Sequence, residues 1–214
     1  MTVHSAAQLP FDGSGIDGSL FTTITGFARD TKWLNAPIEL WTNAGLGVFA
    51  VLMLVGWWQA RRRDTRTMTL ALAAPVCTSA AYAVAEVAKK LVAEVRPCYS
   101  LPHAYFVDAC PARSDYAFPS GHATVAAATV AALFLLDRRL SAIAAGFALL
   151  EGFTRVYVGA HYPHDVLGAA VLALPVAFAA SWVLGRFAVP VVASLRTGVL
   201  QSVLTAPGAV HVSG

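Results

Sequence analysis

The chain has 214 residues, a net charge of +3, and 57% apolar against 13% charged residues, with a mean hydropathy of +0.61. A soluble domain carries about 25% charged residues, so this composition excludes a water-soluble shell and makes a lipid bilayer the solvent of a single domain. The small positive charge, with no basic stripe interleaved with aromatics, excludes a nucleic-acid surface.

Residues 1–34 read as an extramembrane segment. Its start, Met1 to Gly18, is polar and glycine-rich. It lacks the basic-then-apolar order of a cleavable signal peptide, so the first span is expected to serve as its own insertion signal. Between Gly18 and Lys32, Leu20, Phe21, Ile24 and Phe27 recur at helical spacing. That predicts an amphipathic helix lying on the outer surface; a loosely ordered terminus is the plainer alternative.

Residues 35–190 read as the membrane domain. A helix rises 1.5 Å per residue and takes about 20 residues to cross the hydrocarbon. Five stretches qualify: Pro37–Ala60, Thr67–Val95, Pro119–Leu136, Leu140–Val158 and Pro163–Phe187. The expected fold class is therefore all-α, a polytopic membrane bundle of about five transmembrane helices preceded by the amphipathic segment. Trp33, Trp41, Trp57 and Trp58 flank the first span and Trp182 lies near the end of the last, as interfacial belts do. Asp137-Arg138-Arg139 alone separates the third and fourth spans, a tight helical hairpin. Residues 191–214 read as a cytoplasmic tail without clear periodicity.

Arginine placement orients the spans. Arg61-Arg62-Arg63 with Arg66, then Arg138-Arg139, then Arg186 and Arg196 all fall on one side of a five-span chain. The positive-inside rule makes that side cytoplasmic. Lys89, Arg96, Arg113 and Arg155 fall toward the other side, against the bias, and phosphate binding is a reason for cations there. The expected location is the plasma membrane, multi-pass, with the site facing the periplasm or cell exterior.

Three groups of residues carry chemistry. Lys89 and Arg96 are two helical turns apart and share a face if the helix continues, with Pro97 ending it. Arginine grips phosphate oxygens with a planar fork and lysine acts as a compact point charge; snorkelling toward headgroups is the plain reading of a lone basic residue here, and Lys90 fits it. Pro119-Ser120-Gly121-His122 opens the third span. Ser120 suits a cap, Gly121 allows close backbone approach, and free N–H groups at a helix start attract anions. His122 then stands in the first turn, placed to give a proton to a leaving oxygen; a capped helix with an incidental histidine is the alternative.

The third group is Thr154-Arg155 with His161 and Asp165. The last two are four apart, so they face each other on the opening turn of the fifth span. A carboxylate that fixes one imidazole nitrogen leaves the other free to attack. A His–Asp pair that only staples the helix start is an alternative; a metal site is another, disfavoured by the surrounding cations. Glu86 and Glu151 lie inside apolar runs and are expected to pair with Lys89 or Lys90 and with Arg155, as structural or catalytic partners. His103 and His164 read as surface or pocket-rim residues. Cys98 and Cys110 flank a loop on the outer side, where an oxidising compartment permits a disulfide; two free thiols are the alternative. Cys77 reads as a small core residue.

Taken together, Lys89-(six residues)-Arg96-Pro97, Pro119-Ser120-Gly121-His122 and Thr154-Arg155-(five)-His161-(three)-Asp165 resemble the type 2 phosphatidic acid phosphatase superfamily of membrane lipid phosphate phosphatases. Thr154 stands where that family carries serine and keeps the hydroxyl. The resemblance implies a metal-independent phosphomonoester or diphosphate hydrolase with no cofactor. It implies His161 as nucleophile, His122 as acid and then base, Asp165 as the group orienting His161, and Lys89, Arg96, Arg155, Ser120 and Gly121 as phosphate-binding residues. Many members carry a further span ahead of this core, so five spans rather than six are expected here. The implied partners are a lipid phosphate and the bilayer, and the sequence specifies no oligomer. A polyprenyl diphosphate is the first expectation for substrate, with phosphatidate and phosphatidylglycerol phosphate open. A vanadate-dependent haloperoxidase shares such an anion site but is larger and soluble; a non-catalytic binder of anionic lipids has no use for His122, His161 and Asp165.

Overall fold

Apolar runs punctuated by Gly, Pro and Asp fold into helices throughout the computed structural model, which describes residues 11–207. Residues 1–10 of the amino-terminal segment, with the signal-peptide reading, and residues 208–214 of the tail lie outside the described residues. The helices in chain order are α1 (Ser14–Asp30), α2 (Lys32–Ala44), α3 (Leu46–Ala60), α4 (Thr65–Val92), α5 (Pro97–Ser100), α6 (Gly121–Leu136), α7 (Arg138–Tyr157), α8 (Pro163–Phe187), α9 (Val189–Thr197) and α10 (Gln201–Leu204). Among the described residues the only strand-like pairing is an isolated bridge between Phe11 and Glu94. The protein is an all-α membrane helical bundle.

Length and apolarity single out α4 and α8 as spans, and α2 with α3 as a third if that pair, bent by 46°, counts as one. The expected count of five is not reached on those grounds, because α6 is a shorter apolar helix and α7 carries Arg138, Arg139, Glu151 and Arg155. The first expected span is broken rather than continuous. A Cβ at Gly45, where α2 meets α3, would stand 2.7 Å from the Trp41 carbonyl oxygen and 3.0 Å from a Glu151 carboxylate oxygen. Only glycine lets the chain pass that close.

Local chemistry sets the other boundaries. Asp64 caps α4 by accepting from Thr67 N–H, and Asp137 caps α7 by accepting from Arg139 and Leu140 N–H, so a single residue separates α6 from α7. At its far end α4 stops at Val92, earlier than expected, because Ala93 takes a left-handed conformation (φ 51°) and its N–H closes on the Lys89 carbonyl. Arg96 therefore lies beyond the helix and does not share a helical face with Lys89.

Helices α4, α6, α7 and α8 form the packed centre. A seam of small residues joins α4, α6 and α8: Ala73, Ala74, Cys77 and Ala81 against Ala127, Ala128, Ala131 and Ala132, with Ala173 and Ala177. In lipid, helices gain nothing by hiding apolar surface from each other, so small side chains that admit close backbone packing drive the association. A second cluster joins Phe49, Leu52, Met68, Leu70, Leu133, Leu136 and Leu140 to Val192 and Leu204. The segment after residue 190 thus folds back as α9 and α10 onto the bundle. Outward residues such as Leu91, Leu149 and Val171 are 76–80% exposed, as lipid-facing side chains are.

The arginine-rich end gathers in one place. Arg61 donates to the Ser202 carbonyl at 2.8 Å, and Arg63 lies 4.0 Å from Asp137. At the other end α1 docks on α7 and α8. Phe21 is buried with Val156 and Tyr162, and Ala28 with Tyr157 and Val158. The buried stripe is Gly18, Phe21, Thr25 and Ala28, whereas Leu20 and Phe27 remain about half exposed. The expected surface helix is thus a docked one, and small residues, silent in hydropathy, complete a contact face centred on Phe21.

Candidate active site

A cavity of about 640 Å³ opens at the end of the bundle that α1 covers, and Lys89, Arg96, Gly121, His122, Arg155 and His161 all line it. Six of the eight sequence-predicted site residues therefore share one wall. The other two, Ser120 and Asp165, are fully buried behind it. Glu86 and Asp115 line it beside the cations, and Leu46, Thr78, Ser79, Tyr82 and Val125 line the remainder, so a charged part continues into one without charges.

Backbone architecture places each group. Lys89 projects from the last turn of α4. The left-handed turn at Ala93 carries the chain back so that Arg96, just before Pro97 of α5, reaches the same space. Ser120 is the N-cap of α6, its Oγ accepting from Ala123 N–H at 3.5 Å and its N–H donating to the Asp165 carbonyl at 3.1 Å. Its hydroxyl thus caps the helix as an acceptor and keeps its own proton to donate. Gly121 leaves the start of α6 bare: a Cβ there would meet Tyr82 at 3.3 Å and Lys89 Nζ at 4.0 Å. Free amides at such a start attract anions. The cis peptide Phe118–Pro119 precedes this corner. Arg155 ends α7, and the turn through Gly159, whose φ of 87° favours glycine, brings His161 back beneath it.

Hydrogen bonding fixes the tautomer of His161. Arg96 Nη1 lies 2.9 Å from His161 Nε2. A guanidinium only donates, so Nε2 must offer its lone pair. The ring proton then sits on Nδ1, which faces Asp165 Oδ2 at 3.3 Å. Asp165 is held in turn by the Tyr162 N–H at 2.8 Å. Burial, and next the guanidinium of Arg96, hold the His161 imidazole well below its ordinary value. The ring is neutral, with a lone pair directed among three cations.

Several partners were not legible in the sequence. Asp115, in the loop before α6, accepts from Arg96 Nη2 at 2.9 Å and lies 3.8 Å from Lys89 Nζ. Its backbone carbonyl accepts from Arg96 Nε at 3.0 Å. Arg155 donates to Thr42 Oγ1 at 2.7 Å and lies 3.6 Å from Asp108. Glu86 pairs with Lys89 at 3.5 Å, as expected. Glu151 does not pair with Arg155. It is fully buried, both its oxygens lack a hydrogen-bond partner, and it packs beside Gly45. His103 is exposed, but His164 is partly buried and bonded to acidic groups instead of lying at a rim. Asp115 and Asp108 sit in loops without periodicity, so no spacing signal marks them. Arg113 stacks over Tyr99 at 4.2 Å and takes no part in the cavity wall.

Cys98 and Cys110 are joined, with Cα atoms 6.0 Å apart, and Cys77 is free and buried. The loop they close carries Asp108 to Arg155, and Tyr99 Oη braces it by donating to the Pro111 carbonyl at 2.6 Å.

A family model described as the PAP2 superfamily matches residues 70–188. The chain is 28% identical over 165 residues, 74% of its length and 79% of the relative's, to the undecaprenyl-diphosphatase BcrC of Bacillus subtilis. It is 30% identical over 114 residues, 53% of its length and 54% of the relative's, to an undecaprenyl-diphosphatase of Sulfolobus acidocaldarius. Among solved structures it is similar in fold to a transmembrane PAP2-type phosphatidylglycerolphosphate phosphatase from Bacillus subtilis, with a TM-score of 0.60, 22% identity, and coverage of 79% of this chain and 87% of that one.

Proposed function

The chain belongs to the PAP2 superfamily and is a membrane lipid phosphatase of that type, and from that premise we propose that it hydrolyses a polyprenyl diphosphate through a phosphohistidine, without a metal ion. The observation that carries the mechanism is the Nε2 lone pair of His161, held beside Arg96 in a cavity that Lys89, Arg155 and His122 also line. The substrate class rests on the two relatives named undecaprenyl-diphosphatase.

The terminal phosphoryl group sits among Lys89, Arg96 and Arg155, with the bare N–H groups at Gly121 completing the cradle. His161 Nε2 attacks phosphorus; the N–P bond forms as the bond to the bridging oxygen breaks. His122 gives its proton to that oxygen and the lipid monophosphate leaves. Asp165 accepts from Nδ1–H and balances the charge that develops on the ring. Water then attacks phosphorus and passes a proton to His122, the N–P bond breaks, and inorganic phosphate and both histidines are restored. Because the transferred group is nearly free at the summit of the barrier, catalysis rests on positioning and charge.

We further propose five membrane passes, with α6 and α7 crossing inside the bundle, in the plasma membrane. The arginine-rich end faces the cytoplasm and the cavity faces the periplasm or exterior. The gathering of Arg61, Arg63 and Asp137 at the end opposite the cavity supports this orientation.

The test is phosphate release by detergent-purified protein from a panel of polyprenyl diphosphates and glycerolipid phosphates, with and without chelator. Release fastest from the polyprenyl diphosphate, undiminished by chelator and abolished in His161→Ala, is expected. Faster release from phosphatidate, loss of activity with chelator, or acid-labile phosphate on a residue other than His161 would overturn the respective part.

A further inference from the structure

His164 lies one residue from Asp165, and its ring is bonded on both edges to carboxylates. Nδ1 is 2.8 Å from Asp17 Oδ1 of α1, and Nε2 is 2.9 Å from Glu94 Oε1, just past α4. Its backbone N–H also donates to Asp17 Oδ2 at 2.7 Å. An ionised carboxylate only accepts, so with Asp17 and Glu94 both ionised each ring nitrogen carries a proton and the ring is an imidazolium. Its faces are covered by Tyr162 at 5.4 Å between centroids and Phe118 at 6.3 Å, both stacked, and aromatic faces favour a cation.

The third carboxylate in reach is Asp165, whose Oδ1 is 3.6 Å from His164 Nε2. Glu94 and Asp165 are both fully buried. Glu94 Oε2 and Asp165 Oδ1 have no hydrogen-bond partner. Among the described residues no lysine or arginine makes an ion pair with Asp17, Glu94 or Asp165. Glu94 and Asp165 each bring a carboxylate oxygen within 4.8 Å of the other, and two buried carboxylates this close do not both stay ionised without a compensating cation, since burial and like charge each favour the proton. A protonated Asp165 would cease to be an obligate acceptor for His161 Nδ1–H.

We propose that His164 is a positioning residue: its imidazolium is the shared counter-ion of Asp17, Glu94 and Asp165, and it keeps Asp165 ionised so that Asp165 holds His161 in its attacking tautomer. This deepens the phosphohistidine reading and rests on it. The groups facing the ring are Asp17 from α1, Glu94 from the turn after α4, Asp165 from α8, Tyr162 from the α7–α8 link and Phe118 from the loop before α6. The cluster also ties α1 to the catalytic wall.

Two measurements test this. The first is the pH dependence of kcat and KM for His164→Gln and for Glu94→Gln/His164→Gln, in holo-length detergent-purified protein. Outer partners that orient a metal-ligating histidine are worth about 10–100-fold, and the same range is taken for this one. His164→Gln should lower kcat in that range near pH 7 with little change in KM, and should move the acidic limb of kcat to higher pH. Removing the Glu94 charge as well should restore part of kcat, because Asp165 then needs less compensation. A pH-independent loss with no recovery in the double variant, or no loss, overturns the proposal. The second reads the protonation state of the wild-type ring by nitrogen NMR, assigned through the dipeptide His164–Asp165, which occurs once in the sequence. Both nitrogens protonated at pH 7 is the expected result; a neutral or metal-bound ring overturns the proposal. That readout needs no turnover, so an error in the substrate or nucleophile leaves it standing and is told apart from failure of the counter-ion.

Discussion

Asp115 bridges Arg96 and Lys89, two of the cations proposed to hold the phosphoryl group. Replacing it with asparagine removes an anion that competes with substrate oxygens, so inhibition by inorganic phosphate or orthovanadate should tighten several-fold, measured as a lower Ki. His161 sets a second expectation at this scale. Burial and Arg96 depress its protonation, so the neutral ring that the proposed attack requires persists as pH falls below the ordinary imidazole value of about 6.5. The acidic limb of kcat/KM that belongs to His161 therefore lies below that value, and Arg96→Gln, while slowing the reaction, moves the limb upward. That most residues of the three motifs would line one cavity was legible, because cations and imidazoles recur at the polar edges of otherwise apolar runs. Asp115, Asp108 and Thr42 were not. Their roles arise from loop paths and from a helix packed against a distant one, and neither leaves a period in the chain.

Hydropathy windows average over a glycine, which is why the first span read as continuous. In the fold, Gly45 is where α2 and α3 part, with the Trp41 carbonyl and Glu151 pressed against its missing side chain. Gly45→Leu should cost about 1–3 kcal/mol, as overpacking does, seen as a lower midpoint of thermal inactivation in detergent, while Gly47→Ala, whose added Cβ meets nothing within 4 Å, should be neutral. The bounds of α8 were read correctly because Pro163 and the polar turn before it punctuate a long apolar run. The end of α4 was misplaced because a left-handed alanine is a tertiary choice that propensity disfavours. For α1 the helix was foreseen and Phe21 and Ile24 of its expected face do pack, but the rest of the buried face was not: Gly18, Thr25 and Ala28 pack because they are small, a property of fit rather than of hydrophobicity.

At the scale of the molecule, two chemically distinct ends are joined by a close-packed alanine seam. The proposed orientation predicts that a cysteine placed at the exposed His103 is labelled by an impermeant thiol reagent in intact cells, and one placed at Arg62 only after the membrane is opened; the reverse pattern would place the cavity inside. The alanine-on-alanine contact of α4, α6 and α8 was foreseeable as composition, since these helices are rich in small residues, yet which faces met depended on all three together. The cavity itself has a further consequence. Its polar wall passes into Leu46 of α3 and Val125 of α6 beside Thr78, Ser79 and Tyr82 of α4, so a long-chain substrate meets the protein as a solute of the leaflet. Turnover in mixed micelles should then track the mole fraction of substrate in the detergent surface, and adding inert amphiphile at constant total substrate should slow the enzyme by dilution in two dimensions.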